Sequence, residues 1–218
     1  MKALFKIIFI MAACFAATFL LVKFTGVLTI TQIESWLIQA KTLSPIYVST
    51  IVILLLFADL FIAVPTLTIT ILSGYFLGYT YGVMAAITGV TLAGIVGYLL
   101  SKRYGSSILQ YIVADEEKRN EAVYLFHQHG FAMILLSRAM PILPEVSTCL
   151  AGMTQMKFRK FITAWLLSAL PYISIAVYAG SVSTLENPKP AIFTAIALSL
   201  ILWFSWFIYH QVKKKPVT

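Results

Sequence analysis

Residues 131–153 read FAMILLSRAMPILPEVSTCLAGM, an apolar run that is interrupted near its middle. Arg138 and Glu145 place two charges in this run, and Pro141 and Pro144 stand between them. Proline ends or kinks a helix, and a charge at membrane depth costs about 2.5–3.5 kcal/mol even on lenient insertion scales. The run therefore predicts a helical hairpin, two short arms joined by a break, rather than one straight helix.

An earlier apolar stretch has the same character. Residues 45–76 are apolar but carry Asp59 and Pro65, with Thr66 and Thr68 following at once. We expect a second hairpin here, with its break between Asp59 and Pro65.

The whole chain is also strongly apolar. Its 218 residues are 60% hydrophobic and 11% charged, and its mean hydropathy is +0.91. Soluble domains carry roughly 25% charged residues. A water-soluble fold of this size has too much surface to cover to hide so much apolar area. The composition predicts an all-α integral membrane protein.

Further apolar runs set the organisation of the chain, because about 20 apolar residues suffice for a membrane-spanning helix. We expect about four full spans, near residues 3–22, 79–101, 161–182 and 191–209. The chain then divides into an N-terminal uncleaved anchor with an interfacial segment (1–44), a core (45–183), and a C-terminal span with a Lys-rich tail (184–218). The core runs as hairpin 45–76, span 79–101, cytoplasmic linker 102–130, hairpin 131–153 and span 161–182.

The basic residues predict the orientation. If each hairpin enters and leaves on one side, 12 of the 16 Lys and Arg residues lie on the side of the termini, 3 on the other, and Arg138 within a hairpin. Basic residues accumulate on the cytoplasmic side. Both termini are therefore expected in the cytoplasm of a bacterial inner membrane. The net charge of +8 is explained by anchoring beside anionic headgroups, and no nucleic-acid partner is expected.

This arrangement implies an inverted repeat. The first hairpin would enter from outside and the second from the cytoplasm, each followed by a span, as in secondary transporters. Pro65 precedes Gly74 at nearly the interval by which Pro144 precedes Gly152. One full span over about residues 46–62 is the alternative to the first hairpin arm.

The candidate site consists of charges inside apolar segments. Of eight acidic residues, only Asp59 and Glu145 lie in such segments. Buried carboxyls favour the neutral form, which suits a proton relay. With Arg138 they form a candidate substrate and proton-coupling site, and Arg103 stands near the expected cytoplasmic mouth. The alternative is a structural ion pair of Arg138 with Glu145 or Asp59.

The hairpin tips suggest a ligand class. Half-helix N-termini attract anions, and hydroxyl groups adjoin both tips. Anionic lipid headgroups are therefore the expected partners. The candidate hairpin and headgroup contacts are Pro65, Thr66, Thr68, Gly74, Pro141, Pro144, Ser147 and Gly152.

Two sets of residues resemble a known family. The first half has Pro65 … Ser73-Gly74-Tyr75-Phe76-x-Gly78 … Gly94-x-x-Gly97-Tyr98 … Arg103-Tyr104-Gly105. The second has Arg138-x-x-Pro141-x-x-Pro144-Glu145 … Ala151-Gly152-Met153 … Phe158 … Pro171 … Tyr178-x-Gly180. Over about residues 45–183 the chain resembles the DedA family, also called the VTT-domain or SNARE-associated Golgi protein superfamily. The single Arg138 with its spaced prolines is closer to the vacuolar-sorting-like branch.

The resemblance implies opposed re-entrant hairpins and lipid translocation, that is, flipping or scrambling of phospholipid or undecaprenyl phosphate, and it is compatible with proton coupling. A secondary transporter of a small ion or solute on the same fold is the main alternative, and a membrane assembly factor is a further one. Enzyme motifs such as HExxH and Gly-x-Ser-x-Gly are absent from the sequence, so no enzyme, metal or cofactor is expected. A homo-oligomer is compatible with the sequence.

Overall fold

In the computed structural model, the described residues are 6–10, 13, 44–62, 64–139, 143–183, 189, 193, 194, 196, 197 and 200. All regular structure in these residues is helical, and they contain no strand. The predicted all-α class is confirmed. Most of the anchor segment 1–44 and of the span 191–209 lie outside the described residues. The count of four spans and the position of the termini therefore stay predictions.

The first half of the described core begins with a helical hairpin. Helix α1 (Pro45–Ala58) starts with a proline, whose fixed φ suits the first turn of a helix. After a turn that follows Ala58, helix α2 (Thr66–Ile112) begins. Val48 of α1 packs against Leu72 and Phe76 of α2. The two segments therefore run antiparallel on either side of the turn.

Helix α2 is broken at Gly78, which divides it into α2N (residues 66–77) and α2C (residues 79–112). Gly78 has φ 73° and ψ 178°, a conformation that is essentially restricted to glycine. The chain folds back there: the Ser73 hydroxyl lies 3.4 Å from the Gly82 carbonyl oxygen. Nine residues of unbroken helix would place these two residues about 13 Å apart. Gly78 thus ends the first hairpin and starts a separate long helix.

The second half repeats this order. Helix α3 (Glu116–Leu136) leads into a 3₁₀ turn (Ser137–Ala139), helix α4 (Leu143–Met153) and helix α5 (Phe158–Ser181). The His127 imidazole of α3 lies 2.6 Å from the carbonyl oxygen of Thr154, just after α4. The end of α3 and all of α4 therefore form a second helical hairpin. Helix α3 is continuous across residue 130, so the expected linker and first arm share one helix.

The two hairpins open toward opposite ends of the bundle. Val48 also packs on Leu77, next to the Tyr79–Tyr178 ring pair, whose centroids are 6.2 Å apart. The second hairpin opens at the other end, where the Gln155 amide donates to the Lys102 carbonyl at 2.9 Å. The tips of the two hairpins point toward each other between these ends.

Glycines bring the helix backbones into contact. A Cβ atom at Gly74 of α2N would overlap the carbonyl oxygen of Val177 in α5. A Cβ atom at Gly152 of α4 would lie 2.5 Å from the Tyr98 carbonyl oxygen of α2C. Small residues permit such close packing of membrane helices. Each hairpin therefore packs on the long helix of the other half.

The spacing of key residues matches between the halves. The same number of residues separates Asp59 from Arg138, Pro65 from Pro144, and Tyr79 from Phe158. Asp59 and Arg138 stand at the turns of their hairpins, while Tyr79 and Phe158 start the long helices. The sequence halves are thus in register as well as alike in helix order.

Helix lengths limit which elements can cross a bilayer. The described residues contain two helical segments that are long and apolar enough, Thr66–Gly105 and Phe158–Ser181. Helix α1 has 14 residues and α4 has 11, or about 21 and 16 Å at 1.5 Å per residue. A hydrocarbon core is about 30 Å thick. Neither hairpin arm reaches across it alone.

Candidate functional site

Asp59 organises the tip of the first hairpin. One of its carboxylate oxygens accepts the backbone N–H of Val64 at 2.8 Å, and the other accepts the Thr66 hydroxyl at 2.9 Å. Both bonds cross the turn between α1 and α2N. The carboxyl group therefore fixes the position at which α2N begins.

Arg138 stands at the tip of the second hairpin, in the 3₁₀ turn after α3. Its guanidinium carbon is 5.2 Å from the ring centroid of Trp165 and 5.2 Å from that of Tyr172. Both rings belong to α5 and lie two helical turns apart. Aromatic faces attract a cation, so the two rings hold the guanidinium group against α5.

Glu145 joins the two tips. It lies in the first turn of α4, close enough to Asp59 for an interaction between their carboxyl groups. Both carboxyls also interact electrostatically with Arg138. Among the described residues, however, no nitrogen of Arg138 comes within 4.0 Å of either carboxylate. The structure brings the three predicted charged residues together without closing a tight ion pair.

Several atoms of this cluster have no hydrogen-bonding partner. The Nε and Nη2 atoms of Arg138 and the Oε2 atom of Glu145 are buried and unpaired. Buried polar groups in proteins are normally hydrogen-bonded, because an unsatisfied one costs about 1–3 kcal/mol. These atoms are therefore the ones available to an entering polar group.

The other predicted tip residues serve mainly the backbone. Pro65 precedes the first residue of α2N, and Pro144 is the second residue of α4. The Ser147 hydroxyl donates to the Pro144 carbonyl at 2.9 Å, and Thr68 lies half-buried one turn into α2N. Pro141 lies outside the described residues.

Gly74, Gly152 and Arg103 do not join the charge cluster. The two glycines lie at the helix crossings described above. Arg103 is exposed on α2C, with its guanidinium 5.7 Å from the ring centroid of neighbouring Tyr104. It lies about 9 Å along the helix from Gly97, which faces Leu60 of the first tip.

Sequence reasoning missed the part of the site that α5 supplies. Trp165, Ser168 and Tyr172 are spaced three and four residues apart, so they share one face of α5. A polar stripe of this spacing inside an otherwise apolar span is the signal that identifies them. Among the described residues, no group of three His, Cys, Asp or Glu side chains is arranged to hold a metal ion.

Comparisons with known proteins point to one family. The model of the VTT-domain family matches residues 64–182. An uncharacterised membrane protein of Synechocystis is 29% identical over 170 residues, which cover 69% of this chain and 71% of that protein. The uncharacterised protein YqeD of Bacillus subtilis is 27% identical over 162 residues, or 69% of this chain and 73% of its own length.

A third relative has a functional name. Undecaprenyl phosphate transporter A of Bacillus subtilis is 23% identical over 108 residues, which cover 48% of this chain and 54% of that protein. No solved structure matches the chain. Because the family model covers more than half of the sequence, the chain belongs to the VTT-domain family, also called the DedA family, of membrane proteins.

Proposed function

We propose that this protein moves an anionic lipid across the membrane, as a flippase or scramblase for phospholipid or undecaprenyl phosphate. The observation that carries the proposal is the cluster of the half-buried residues Asp59, Arg138 and Glu145 where the two hairpin tips meet, with buried unpaired atoms on Arg138 and Glu145. Charges at this depth are costly and normally serve a transport path or a proton relay. A lipid that crosses a bilayer must bring its charged headgroup through this same layer.

The helix lengths support a particular membrane arrangement. Helix α1 of the first hairpin and helix α4 of the second are too short to span, and the hairpins open toward opposite ends of the bundle. We place them as re-entrant hairpins that enter from opposite membrane faces, with their tips near the midplane. Four full spans and cytoplasmic termini complete this topology in a bacterial inner membrane.

The charge balance favours proton coupling. Two carboxyls and one guanidinium share the cluster, so two ionised carboxylates would leave a surplus of negative charge in a medium of low dielectric constant. An incoming anionic headgroup would add to this surplus. Uptake of a proton by one carboxyl removes it and frees Arg138 for the headgroup.

The relatives support the lipid assignment. One of them is named for undecaprenyl phosphate transport, and undecaprenyl phosphate is an anionic lipid. A phospholipid presents the same phosphoryl chemistry to Arg138. The proposal is for a transporter rather than an enzyme, with anionic lipids as partners and a homo-oligomer compatible with it.

A proteoliposome assay tests the function. Fluorescent phosphatidylglycerol and undecaprenyl phosphate are incorporated, and headgroup exposure on the outer leaflet is followed with and without a pH gradient. Wild type is expected to move at least one lipid, and the Asp59→Asn/Glu145→Gln double variant to lose this activity. Thr163→Val is the matched control, because its hydroxyl only bonds the Arg159 carbonyl on an exposed face of α5.

A different result would favour the other function class. If folded wild type moves neither lipid but carries a labelled soluble anion or cation, the protein is a secondary transporter of small ions on this fold. If lipid moves at the same rate with and without the pH gradient, the proton-coupled part of the proposal is wrong and the protein is a passive scramblase.

A further inference from the structure

The charge cluster continues into a wider group of buried polar atoms without partners. Besides Arg138 and Glu145, the side chains with such atoms are those of Thr91, Thr148, Trp165 and Ser168. Trp165 is 5% exposed, Ser168 7% and Thr148 2%. Of these four residues, Trp165 also contacts Arg138 at the second hairpin tip.

Packing places these side chains around one another. The Trp165 ring covers Gly94 of α2C, where a Cβ atom would lie 2.7 Å from the indole nitrogen. Thr91 is one turn before Gly94 on the same helix. The Thr148 methyl group faces Gly97, one turn after Gly94, at 3.1 Å from the Cβ position there.

The α5 side of the group is equally compact. Ser168 lies between Trp165 and Tyr172 on one helix face, and the guanidinium of Arg138 contacts both rings. The unpaired atoms therefore come from α2C, α4, α5 and the second hairpin tip, and the Trp165 ring, which covers Gly94, also contacts Arg138.

The free edge of Arg138 has a specific shape. Nε and Nη2 lie on the same edge of the guanidinium plane and form the fork that binds two oxygens of one carboxylate or phosphate. Both are buried and unpaired, while the guanidinium carbon lies 5.2 Å from the ring centroids of Trp165 and Tyr172. The rings thus orient a fork that neither Asp59 nor Glu145 occupies.

The unpaired atoms are mostly donors. The guanidinium and indole N–H groups can only donate, and the hydroxyls of Thr91, Thr148 and Ser168 can donate as well. The one atom restricted to accepting, when the carboxyl is ionised, is Oε2 of Glu145. A group with several acceptor oxygens and one proton to share satisfies this set, and a phosphate monoester has that chemistry.

We propose that Arg138, Trp165 and Ser168 form a phosphoryl subsite, in which the fork, the indole N–H and the hydroxyl bind the non-bridging oxygens of a phosphate monoester. Glu145 and the phosphate share one proton, which a diester lacks when ionised. Tyr172 is a positioning residue that holds the guanidinium plane. The proposal rests on the proposed lipid transport and specifies its headgroup.

Binding to the full-length protein in detergent tests the subsite. The probes are dioctanoyl phosphatidic acid as monoester lipid, dioctanoyl phosphatidylglycerol as diester lipid, and inorganic phosphate, measured by titration calorimetry. Wild type is expected to bind the monoester lipid about tenfold more tightly than the diester, the effect of one good hydrogen bond.

Two variants test the residues from α5. Trp165→Phe keeps a ring but removes the N–H, and Ser168→Ala removes the hydroxyl. Each is expected to weaken monoester binding by about threefold to tenfold.

Control variants separate local chemistry from folding. Ser181→Ala and Tyr178→Phe lie further along α5, where the Ser181 hydroxyl bonds the Tyr178 carbonyl at 2.8 Å, and both should bind as wild type. Arg138→Lys keeps the charge but loses the fork, so it should weaken monoester binding by at least tenfold. Glu145→Gln should bring the two lipid affinities close together. The midpoint of thermal unfolding is measured for every variant.

The outcomes distinguish the subsite from the transport function. Unchanged monoester binding in folded Trp165→Phe and Ser168→Ala overturns the subsite, even if wild type moves lipid in liposomes. Binding that these variants lose, in a protein that moves no lipid, supports the subsite and removes the transport proposal. Inorganic phosphate that binds as tightly as phosphatidic acid shows a soluble phosphate ligand at the subsite and contradicts the lipid assignment.

Discussion

Asp59 differs from the other two buried charged residues because both of its carboxylate oxygens are hydrogen-bonded within its own turn. Arg138 and Glu145 keep unpaired polar atoms instead. The cluster therefore combines one residue that fixes a hairpin tip with two that face an incoming group. Substitutions at the three positions should consequently fail in different ways.

The turn bonds of Asp59 lead to a stability prediction. Thr66→Val removes the hydroxyl that donates to Asp59 and should lower the free energy of unfolding by about 1 kcal/mol. Asp59→Ala removes both bonds and should cost more. Thermal unfolding in detergent measures both effects. Thr68→Val, two residues along and not bonded to Asp59, is the control; an equal loss there would contradict the role of this turn.

A second residue-level prediction concerns Gly152. An added Cβ atom would lie 2.5 Å from the Tyr98 carbonyl oxygen and 2.7 Å from the Lys102 nitrogen, so α4 would have to move away from α2C. Gly152→Ala should therefore destabilise the protein by about 1–3 kcal/mol. Gly130→Ala is the matched comparison, because the three atoms nearest to a Cβ atom there all belong to the Phe126 side chain and none to the backbone. A stable Gly152→Ala protein would refute the backbone contact.

At the scale of elements, the start of α3 depends on a cap outside the apolar core. The Asp115 carboxylate accepts the Lys118 backbone N–H at 3.3 Å and pairs with the Lys118 ammonium group. The side-chain bond to Lys118, more than the backbone bond, holds the pKa of Asp115 below its ordinary value. A lowered pKa in the folded state means that ionised Asp115 stabilises the folded state.

This cap has a predictable pH dependence. Its contribution should be complete above the ordinary aspartate pKa near 3.9 and should disappear as the pH falls through the lowered value. Asp115→Ala should speed hydrogen exchange in the first turn of α3 at pH 7. The difference from wild type should vanish at the acid end of the titration. A difference that persists there would mean that the carboxylate charge is not its cause.

The sequence predicted the two long apolar helices well, because a bilayer limits the structures that such runs can form. The span 79–101 lies within α2C, and the span 161–182 ends one residue beyond α5, since long apolar runs leave no other solution in a bilayer. The sequence divides hairpin 45–76 from span 79–101 at residues 77 and 78, where the structure has its break, but the positive φ of Gly78 was not foreseen, because glycines at this spacing equally suit straight, close-packed helices. The continuity of α3 was missed because a change of polarity at residue 130 does not interrupt backbone hydrogen bonding.

The charged residues of the candidate site were predictable from the sequence, but its aromatic residues were not. Asp59, Arg138 and Glu145 stand out because charges in apolar segments are rare. Trp165 and Tyr172 do not, since aromatic residues in a span also suit lipid contact. Their role depends on the meeting of α5 with a tip far away in the chain, which only the tertiary structure supplies.

At the scale of the whole molecule, the proposed topology predicts which positions face each side of the membrane. Four exposed residues serve as test positions: Tyr47, Tyr111, Lys157 and Val182. Each is replaced singly by cysteine in a protein whose Cys14 and Cys149 are changed to serine. A membrane-impermeant maleimide should label Tyr47→Cys and Val182→Cys from outside. The other two should react only from the cytoplasm. Labelling of Tyr47→Cys and Tyr111→Cys from the same side of the membrane would indicate that residues 46–62 form a full span.

Asp59 and Arg138 stand at corresponding positions of the two halves, so the halves differ in charge at their hairpin tips. Corresponding positions carry opposite charges, so two copies of one half would bring like charges together where the complete chain brings together unlike ones. A chain cut between Val113 and Glu116, outside any helix, should reassemble from co-expressed fragments as a one-to-one pair. The pairing of the two halves is therefore heterologous, and the half that carries Asp59 cannot take the place of the half that carries Arg138.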